Sequence, residues 1–288
     1  MIEFQDLSFA VISDGTVWAD AGGPFGLVPR VLYSHYLEPD SRNRIPMTLQ
    51  CLLVKSAGKN ILIDTGLGTK LTPEAVEQWG LERPNGTLID DLAREGVAPE
   101  DIDIVLNTHL HADHCSGNTF SADGEVRPSF PNAEYWVQRI EWAEAVHPDA
   151  RTRGTYFGVN FDVLQREGRM RLLHGDTPVT EHVSCVVTPG HTRGHQSILL
   201  QSGGWRGLYV GDMASYAVHM QRTAWLTSYD VLPLENIHSK ERWQRWALEH
   251  DAWLFFEHDP EVKAARLAEH DGRLKIEKVD LDAQGAIE

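Results

Sequence analysis

The sequence predicts an α/β protein in which sheets carry helices on their outer faces, a layered α/β sandwich. Three observations predict it. Apolar runs of strand length, rich in Val, Ile, Leu and aromatics, recur along the chain between Gly, Pro, Asn and Asp. Stretches with helical periodicity separate groups of these runs. The 288 residues, 42% hydrophobic and 24% charged, suffice for a real core and exclude disorder over most of the chain.

In chain order, strands are expected over 9–12, 49–54 and 61–63. The segment 13–46 between the first two holds many Gly, Pro and polar residues, which predicts a long loop or lid. Helices are expected over 73–79 and 87–95; Thr87 is the N-cap of the second, with Asp90 three residues on and Gly96 at its far end. A strand over 102–106 follows, then one over 135–137 and helices over 139–146 and 156–165. Strands over 183–187, 198–200 and 208–210 precede a helix over 239–250 with Trp243, Trp246 and Ala247 on one face, and a last strand over 253–256. Residues 282–288 predict a frayed tail, and 1–288 is expected to form a single domain without internal repeats.

Charge and cysteine use narrow the function classes. Asp and Glu number 42 against 26 Lys and Arg, a net charge of −16 that speaks against a nucleic-acid binder. No run of about 18 apolar residues offers a membrane span. Cys51, Cys115 and Cys185 are odd in number and widely spaced, so neither a disulfide framework nor a C-x-x-C pair is present. The first six residues lack a basic and an apolar region, and together with the free cysteines this predicts a cytoplasmic protein.

The 14 histidines are unusual, and several cluster. In Asn107-Thr108-His109-Leu110-His111-Ala112-Asp113-His114 an apolar strand runs into a polar loop. Residues two apart in extended chain point the same way, so His109 and His111 can share one metal ion. Asp113 and His114 follow where the chain turns and can face a second ion; imidazole and carboxylate suit zinc, iron or manganese. Four polar residues on a solvated loop are the bland alternative, and an H-x-H-x-D-H string straight after an apolar strand speaks against it. Three further strand ends repeat the device. Pro189-Gly190 forces a turn from which His191 projects, Val210-Gly211 presents Asp212, placed to bridge two ions, and the strand at 253–256 delivers His258.

In that order, His109-x-His111-x-Asp113-His114, Gly190-His191, Gly211-Asp212 and His258 resemble the metallo-β-lactamase superfamily over roughly residues 48–259. The resemblance implies a four-layer αβ/βα sandwich with a dinuclear metal site at one edge. It implies that His109, His111 and His191 hold one ion, that Asp113, His114 and His258 hold the other, and that Asp212 bridges them. Asp64, in Leu62-Ile63-Asp64-Thr65-Gly66, matches the family's early Asp and would orient the ligands. An aspartic-protease half-site is the rival for Asp64-Thr65-Gly66, but that chemistry needs two copies and the chain has one. His195 is expected to support its loop rather than bind metal. Cys115 is expected to pack as a small residue under the site. The remaining histidines, among them His35, His147, His174, His182, His238, His250 and His270, are expected at the surface or in local hydrogen bonds.

Among branches, the chain most resembles lactonases that open N-acyl homoserine lactones. That likeness implies two divalent cations, zinc first, with iron, manganese or cobalt as alternatives. It implies a small-molecule substrate, a homodimer, and attack of a metal-bridging hydroxide on the lactone carbonyl, with Asp113 passing a proton to the leaving group. Tyr216, four residues after Asp212, is the candidate for assisting the carbonyl, one residue later than in those lactonases. Ala112 stands where they carry an aromatic, which alters the substrate clamp. Trp18, Phe25, Trp136, Trp142 and Trp225 are either core or the wall of an acyl pocket. The alternatives are an aryl esterase or phosphotriesterase on the same metals, and a metal-binding module without hydrolysis. A β-lactamase would need a periplasmic address, glyoxalase II a longer C-terminal region, and a diiron redox partner a flavin domain.

Overall fold

The computed structural model describes residues 1–284. Its first sheet has seven strands: β1 (Ile2–Phe4), β2 (Leu7–Asp20), β3 (Arg44–Ser56), β4 (Lys59–Ile63) and β5 (Ile104–Leu106), then β8 (Glu134–Gln138) and β9 (Met170–Leu173), hydrogen-bonded in that order. β6 (Thr119–Ala122) and β7 (Glu125–Pro128) form a separate hairpin. The second sheet runs from β10 (Thr177–Pro178) through β11 (Val183–Val187), β12 (Gln196–Ser202), β13 (Trp205–Tyr209), β14 (Trp253–Phe255) and β15 (Ala264–His270) to β16 (Arg273–Lys278). Strands β4, β5, β8 and β9 are mutually parallel, as are β13 and β14, and the remaining pairs are antiparallel.

Three apolar layers hold four structural layers together. Between the sheets lie Phe9, Val54, Ile63, Leu106, Trp136, Ile198, Tyr209, Trp253 and Phe255. Outside the first sheet, Leu62, Val105, Tyr135 and Val137 meet helices α4 (Leu88–Arg94), α6 (Arg139–Val146) and α7 (Asp162–Arg166). Outside the second, Val186, Leu208 and Leu254 meet Trp243 and Ala247 of α9 (Pro233–His250). Residues alternating along a strand serve opposite layers, so central strands are apolar on both faces. This is the αβ/βα sandwich that the sequence predicts.

Thr87 caps α4 in a reciprocal capping box with Asp90. The segment 13–46 differs from the expected loop. β2 continues to Asp20 and β3 begins at Arg44, leaving only 21–43 between them, with short helices α1 (Gly22–Phe25) and α2 (Arg30–Tyr33). The strand survives its polar residues because a bulge between Ser13 and Thr16 restores register with β3. Its buried Asp14 is also satisfied, by Arg83 at 2.7 Å and the Gly68 N–H at 2.8 Å. The C-terminal stretch opens with a helical turn, α10 (Leu281–Gln284); the rest of 282–288 lies outside the described residues. No helix among the described residues is long and apolar enough to cross a membrane.

Candidate metal centre

The strands β4, β5, β11, β13 and β14 end at one rim of the sandwich, and each delivers a polar side chain there. After β5 the chain bends at Thr108 and runs to His111, the residue just before the one-turn helix α5 (Ala112–Cys115) that carries Asp113 and His114. After β11, Gly190 adopts φ +149° against α9; a Cβ there would lie 2.4 Å from the Asn236 Cα, so only glycine permits the turn that projects His191. Asp212 follows β13 in a 3-10 turn, and His258 follows β14.

The seven residues converge. His191 Nε2 lies 3.0 Å from His111 Nδ1, and His258 Nε2 3.2 Å from His114 Nε2. Asp212 lies between the two groups: Oδ2 is 3.1 Å from His191 Nε2 and 3.4 Å from His114 Nε2, while Oδ1 is 3.3 Å from His258 Nε2. Asp113 stands 3.9 Å from His114 Nε2 and 3.8 Å from His258 Nε2. Donors placed about 2.0–2.2 Å from one ion in tetrahedral geometry stand roughly 3.3–3.6 Å apart, so the spacing fits. Among the described residues, four groups lie close enough to surround an ion: His109, His111, His191; His109, His114, Asp212; Asp113, His114, His258; and, on the outer side of His114, Asp64, His114, Glu257.

The hydrogen bonds fix which nitrogen faces inward. His109 Nδ1 donates to Thr108 Oγ1 at 3.0 Å, His191 Nδ1 to Asp230 at 3.0 Å, and His258 Nδ1 to the Thr48 carbonyl at 2.7 Å. His114 Nδ1 faces two carboxylates, Glu257 at 2.9 Å and Asp64 at 3.1 Å. Asp64 also accepts the Thr108 N–H and hydroxyl, so it orients the His109 and His114 segments together. His109 Nε2, buried and aimed at the cluster, has no hydrogen-bond partner among the described residues. Buried nitrogens without partners are costly unless something binds them, so the residues present fit a metal.

Electrostatics agree. Burial and neighbouring imidazoles drive His109 and His111 well below the ordinary histidine value. Burial opposes charge on His114 and His258 as well, but Glu257, Asp113 and Asp212 outweigh it at His114, and Asp212 and Glu257 lift His258 to about 9. Burial likewise opposes the Asp212 charge, and His191, His258 and His114 overcome it and hold the carboxyl well below its usual range. The donor set draws positive charge inward.

Other predicted residues fall as follows. His195 accepts the Asp212 N–H at 3.0 Å and meets Thr188 Oγ1 at 2.8 Å, and so braces the Asp212 turn. Cys115 donates to the Leu110 carbonyl, and burial pushes its thiol up, so it offers no thiolate. Tyr216 is corrected. Its hydroxyl donates to the Pro46 carbonyl at 3.0 Å, and its ring is buried against Phe25, so the donor is already spent within the fold.

A cavity of about 110 Å³ opens onto His111, Asp113, His191 and Asp212. Its apolar wall is Ala19, Pro24, Met47 and Trp79, and Thr155, Ser215 and Tyr229 supply its remaining polar groups. None of the five aromatics considered from sequence lines it: Phe25, Trp136, Trp142 and Trp225 belong to the packed layers, and Trp18 faces a separate groove with Arg44. A far larger cavity, about 910 Å³, lies away from the cluster along α4 and the β6–β7 hairpin. Sequence reasoning missed Asp230, Glu257 and Tyr229, and also Glu141, which is fully buried. Glu141 accepts from Leu110 N, Tyr156 Oη and Thr192 Oγ1 and so ties the His109–His111 segment to the His191 loop. His219, absent from the surface histidines named above, is buried beside Phe25 and Tyr216.

Helix-covered sheets with a cluster of histidines and aspartates at one rim define a metallohydrolase-type sandwich. A family model for the metallo-beta-lactamase superfamily matches residues 49–249, and the chain belongs to that superfamily. The N-acyl homoserine lactonase AttM of Rhizobium radiobacter is 27% identical over 228 residues, covering 74% of this chain and 82% of that protein. A probable metal-dependent hydrolase from Staphylococcus aureus superposes with a TM-score of 0.88 at 29% identity, covering 97% of this chain and 99% of that one. AidC, a dizinc quorum-quenching lactonase in complex with a product, superposes at 0.78 with 19% identity and 97% coverage of each chain, a likeness of fold. The chain is thus a metal-dependent hydrolase.

Proposed function

We propose that the chain is a dinuclear lactonase, one domain that opens the ring of an N-acyl homoserine lactone-like substrate. The carrying observation is that Asp212 lies 3.1 Å from His191, 3.3 Å from His258 and 3.4 Å from His114, between two sets of donors, and lines one small cavity with His111, Asp113 and His191. His109, His111 and His191 would hold one divalent ion, Asp113, His114 and His258 the other, with zinc first for such a donor set. Bound ions supply Lewis acidity for the carbonyl oxygen and acidify a water to a pKa of about 7.

The chain's own groups do the rest. Asp113 receives no hydrogen bond among the described residues and lines the cavity, which suits it to carry a proton to the departing ring oxygen. Ala19, Pro24, Met47 and Trp79 exclude water from the ring. About 110 Å³ is well below the roughly 300 Å³ at which drug-sized sites begin, so the cavity holds a ring, and an acyl tail would have to pass out along the 21–43 segment. The lactonase name borne by AttM supports this substrate class.

The test is a screen of metal-loaded protein against lactones of graded acyl length, aryl esters and phosphotriesters. Lactones are expected to give the highest kcat/KM; a phosphotriester or aryl ester in first place replaces the reading. His111→Ala or Asp212→Ala is expected to abolish turnover and to leave fewer than two ions per chain. Full activity in either variant overturns the ligand assignment.

A further inference from the structure

The loop that carries His191 rests on helix α6 as well as on α9. Three consecutive residues make the α6 contact. Thr192 Oγ1 donates to Glu141 Oε2 at 2.6 Å, Arg193 pairs with Glu144, and a Cβ on Gly194 would lie 2.3 Å from the Glu141 nitrogen. Gly190 makes room for α9 in the same way, so Gly190-His191-Thr192-Arg193-Gly194-His195 is a loop fitted against two helices.

Glu141 is the unusual member of this contact. It is fully buried, and no cation pairs with it among the described residues. Burial pushes its carboxyl up. Three donors hold it: Thr192 Oγ1 on Oε2, and the Leu110 N–H and the Tyr156 hydroxyl, each at 2.9 Å, on Oε1. A buried carboxylate is costly unless its oxygens are bonded, so it stays in place only while these contacts are made. Each contact leads to a candidate ligand of the same ion. Leu110 stands between His109 and His111, Thr192 follows His191, and the Tyr156 ring packs on the His111 imidazole with centroids 5.0 Å apart. The two oxygens of one carboxylate therefore link the His109–His111 segment of the first sheet to the His191 loop of the second. Those two segments bring His111 Nδ1 and His191 Nε2 to 3.0 Å. The other donor group is held by different residues: Asp64 and Glu257 behind His114, and the Thr48 carbonyl behind His258.

We propose that Glu141 is a positioning residue that sets the spacing of His109, His111 and His191, and with it the affinity of the ion they would hold, while the ion of the other group does not depend on it. The inference rests on the metal reading above and not on the identity of the substrate.

The experiment titrates zinc into metal-free protein against a chromophoric chelator and compares wild type with Thr192→Val, Tyr156→Phe and Glu141→Gln. Thr192→Val keeps the side chain's shape and removes the hydroxyl that crosses to Glu141. It is expected to weaken one ion about 10-fold and the other by less than about twofold. Tyr156→Phe takes a hydrogen bond from the same carboxylate without cutting the link between the two segments. It is expected to lower the metal-free thermal midpoint as much as Thr192→Val does and to bind both ions as wild type does. Glu141→Gln retains an acceptor for Leu110 and Tyr156 and can donate its amide to the Thr192 oxygen, so it is expected to keep wild-type affinity. Wild-type affinity for both ions in Thr192→Val overturns the positioning role while two-ion binding by the wild type stands. Equal weakening of both ions, or the same weakening in Tyr156→Phe, overturns it in favour of a general loosening of the fold. A loss in Glu141→Gln as large as in Thr192→Val overturns spacing in favour of charge. If the wild type takes up one ion and Thr192→Val still weakens it about 10-fold, the dinuclear reading falls and the positioning role stands. If the wild type takes up none, both fall.

Discussion

At the residue scale, the centre depends on what stands behind each imidazole. His191 is held by a carboxylate 39 positions away, Asp230, which Thr227 and Asn236 also hold. Burial opposes the Asp230 charge, but His191 and these hydrogen bonds keep its pKa below the usual range. Asp230→Ala is therefore expected to weaken metal affinity by about 10- to 100-fold, read by chelator competition, while the chain stays folded. Tyr216→Phe is expected to cost about 1 kcal/mol of stability from the lost Pro46 hydrogen bond and to leave kcat unchanged. A drop in kcat would return Tyr216 to the reaction. The seven residues that converge at the rim were legible in the sequence because four share one short string and the others each end an apolar strand. Asp230, Glu257 and Glu141 were not, because a lone acid carries no spacing signature and its partner is known only once the chain has folded. Tyr216 misled because proximity to Asp212 in sequence says nothing about where a hydroxyl points.

At the element scale, α9 shows how much a helix can contribute to a site it does not enter. Its inward stripe is half apolar, with Trp243 and Ala247 on the second sheet's core, and half polar. Ser239 holds the Pro189 carbonyl at 2.7 Å, Gln244 the Met220 carbonyl at 2.8 Å, and Lys240 the Trp225 carbonyl at 2.7 Å. The helix thus clamps the His191 turn and the loop after Asp212. From sequence only the apolar part was visible, and the helix starts at Pro233, six residues before the Ser239 expected to open it. β15 and β16 were also invisible, since their outer residues are charged and no apolar run survives the alternation. Lys240 gives this element a pH signature. Burial lowers its pKa to about 8 from an ordinary 10.5. Between those values the unfolded chain holds a proton that the folded chain has released, so stability gains from rising pH there. The stability of wild type relative to Lys240→Met is expected to rise by about 1.4 kcal/mol per pH unit from pH 8 to 10, measured by urea unfolding. A flat difference would mean that Lys240 keeps an ordinary pKa.

At the scale of the whole molecule, the candidate centre joins the two halves of the sandwich. His109, His111, Asp113 and His114 follow β5 of the first sheet; His191, Asp212 and His258 follow strands of the second. Direct polar links cross at this rim as well: Thr192 donates to Glu141 at 2.6 Å, Thr48 Oγ1 donates to the Glu257 carbonyl at 2.8 Å, and Glu257 faces His114 at 2.9 Å. Gln196 binds the Asn107 and Thr108 carbonyls at 2.9 Å each, and Gln50 reaches the carbonyls of Phe256 and Asp259. Metal held by donors from both halves would bind the folded chain and not the unfolded one, so it would add stability by mass action, about 4 kcal/mol at a thousandfold excess over Kd. For a chain of this size that amounts to roughly 10 °C in thermal midpoint. Chelation of the metal-loaded protein is expected to lower the midpoint by about that amount, and re-addition of zinc to restore it. Asp212→Ala removes the residue that spans both donor groups, so chelator should shift its midpoint by less than half as much. An equal shift in that variant would mean that a single ion, held by one group of donors, carries the whole stabilisation, and that Asp212 does not link the halves.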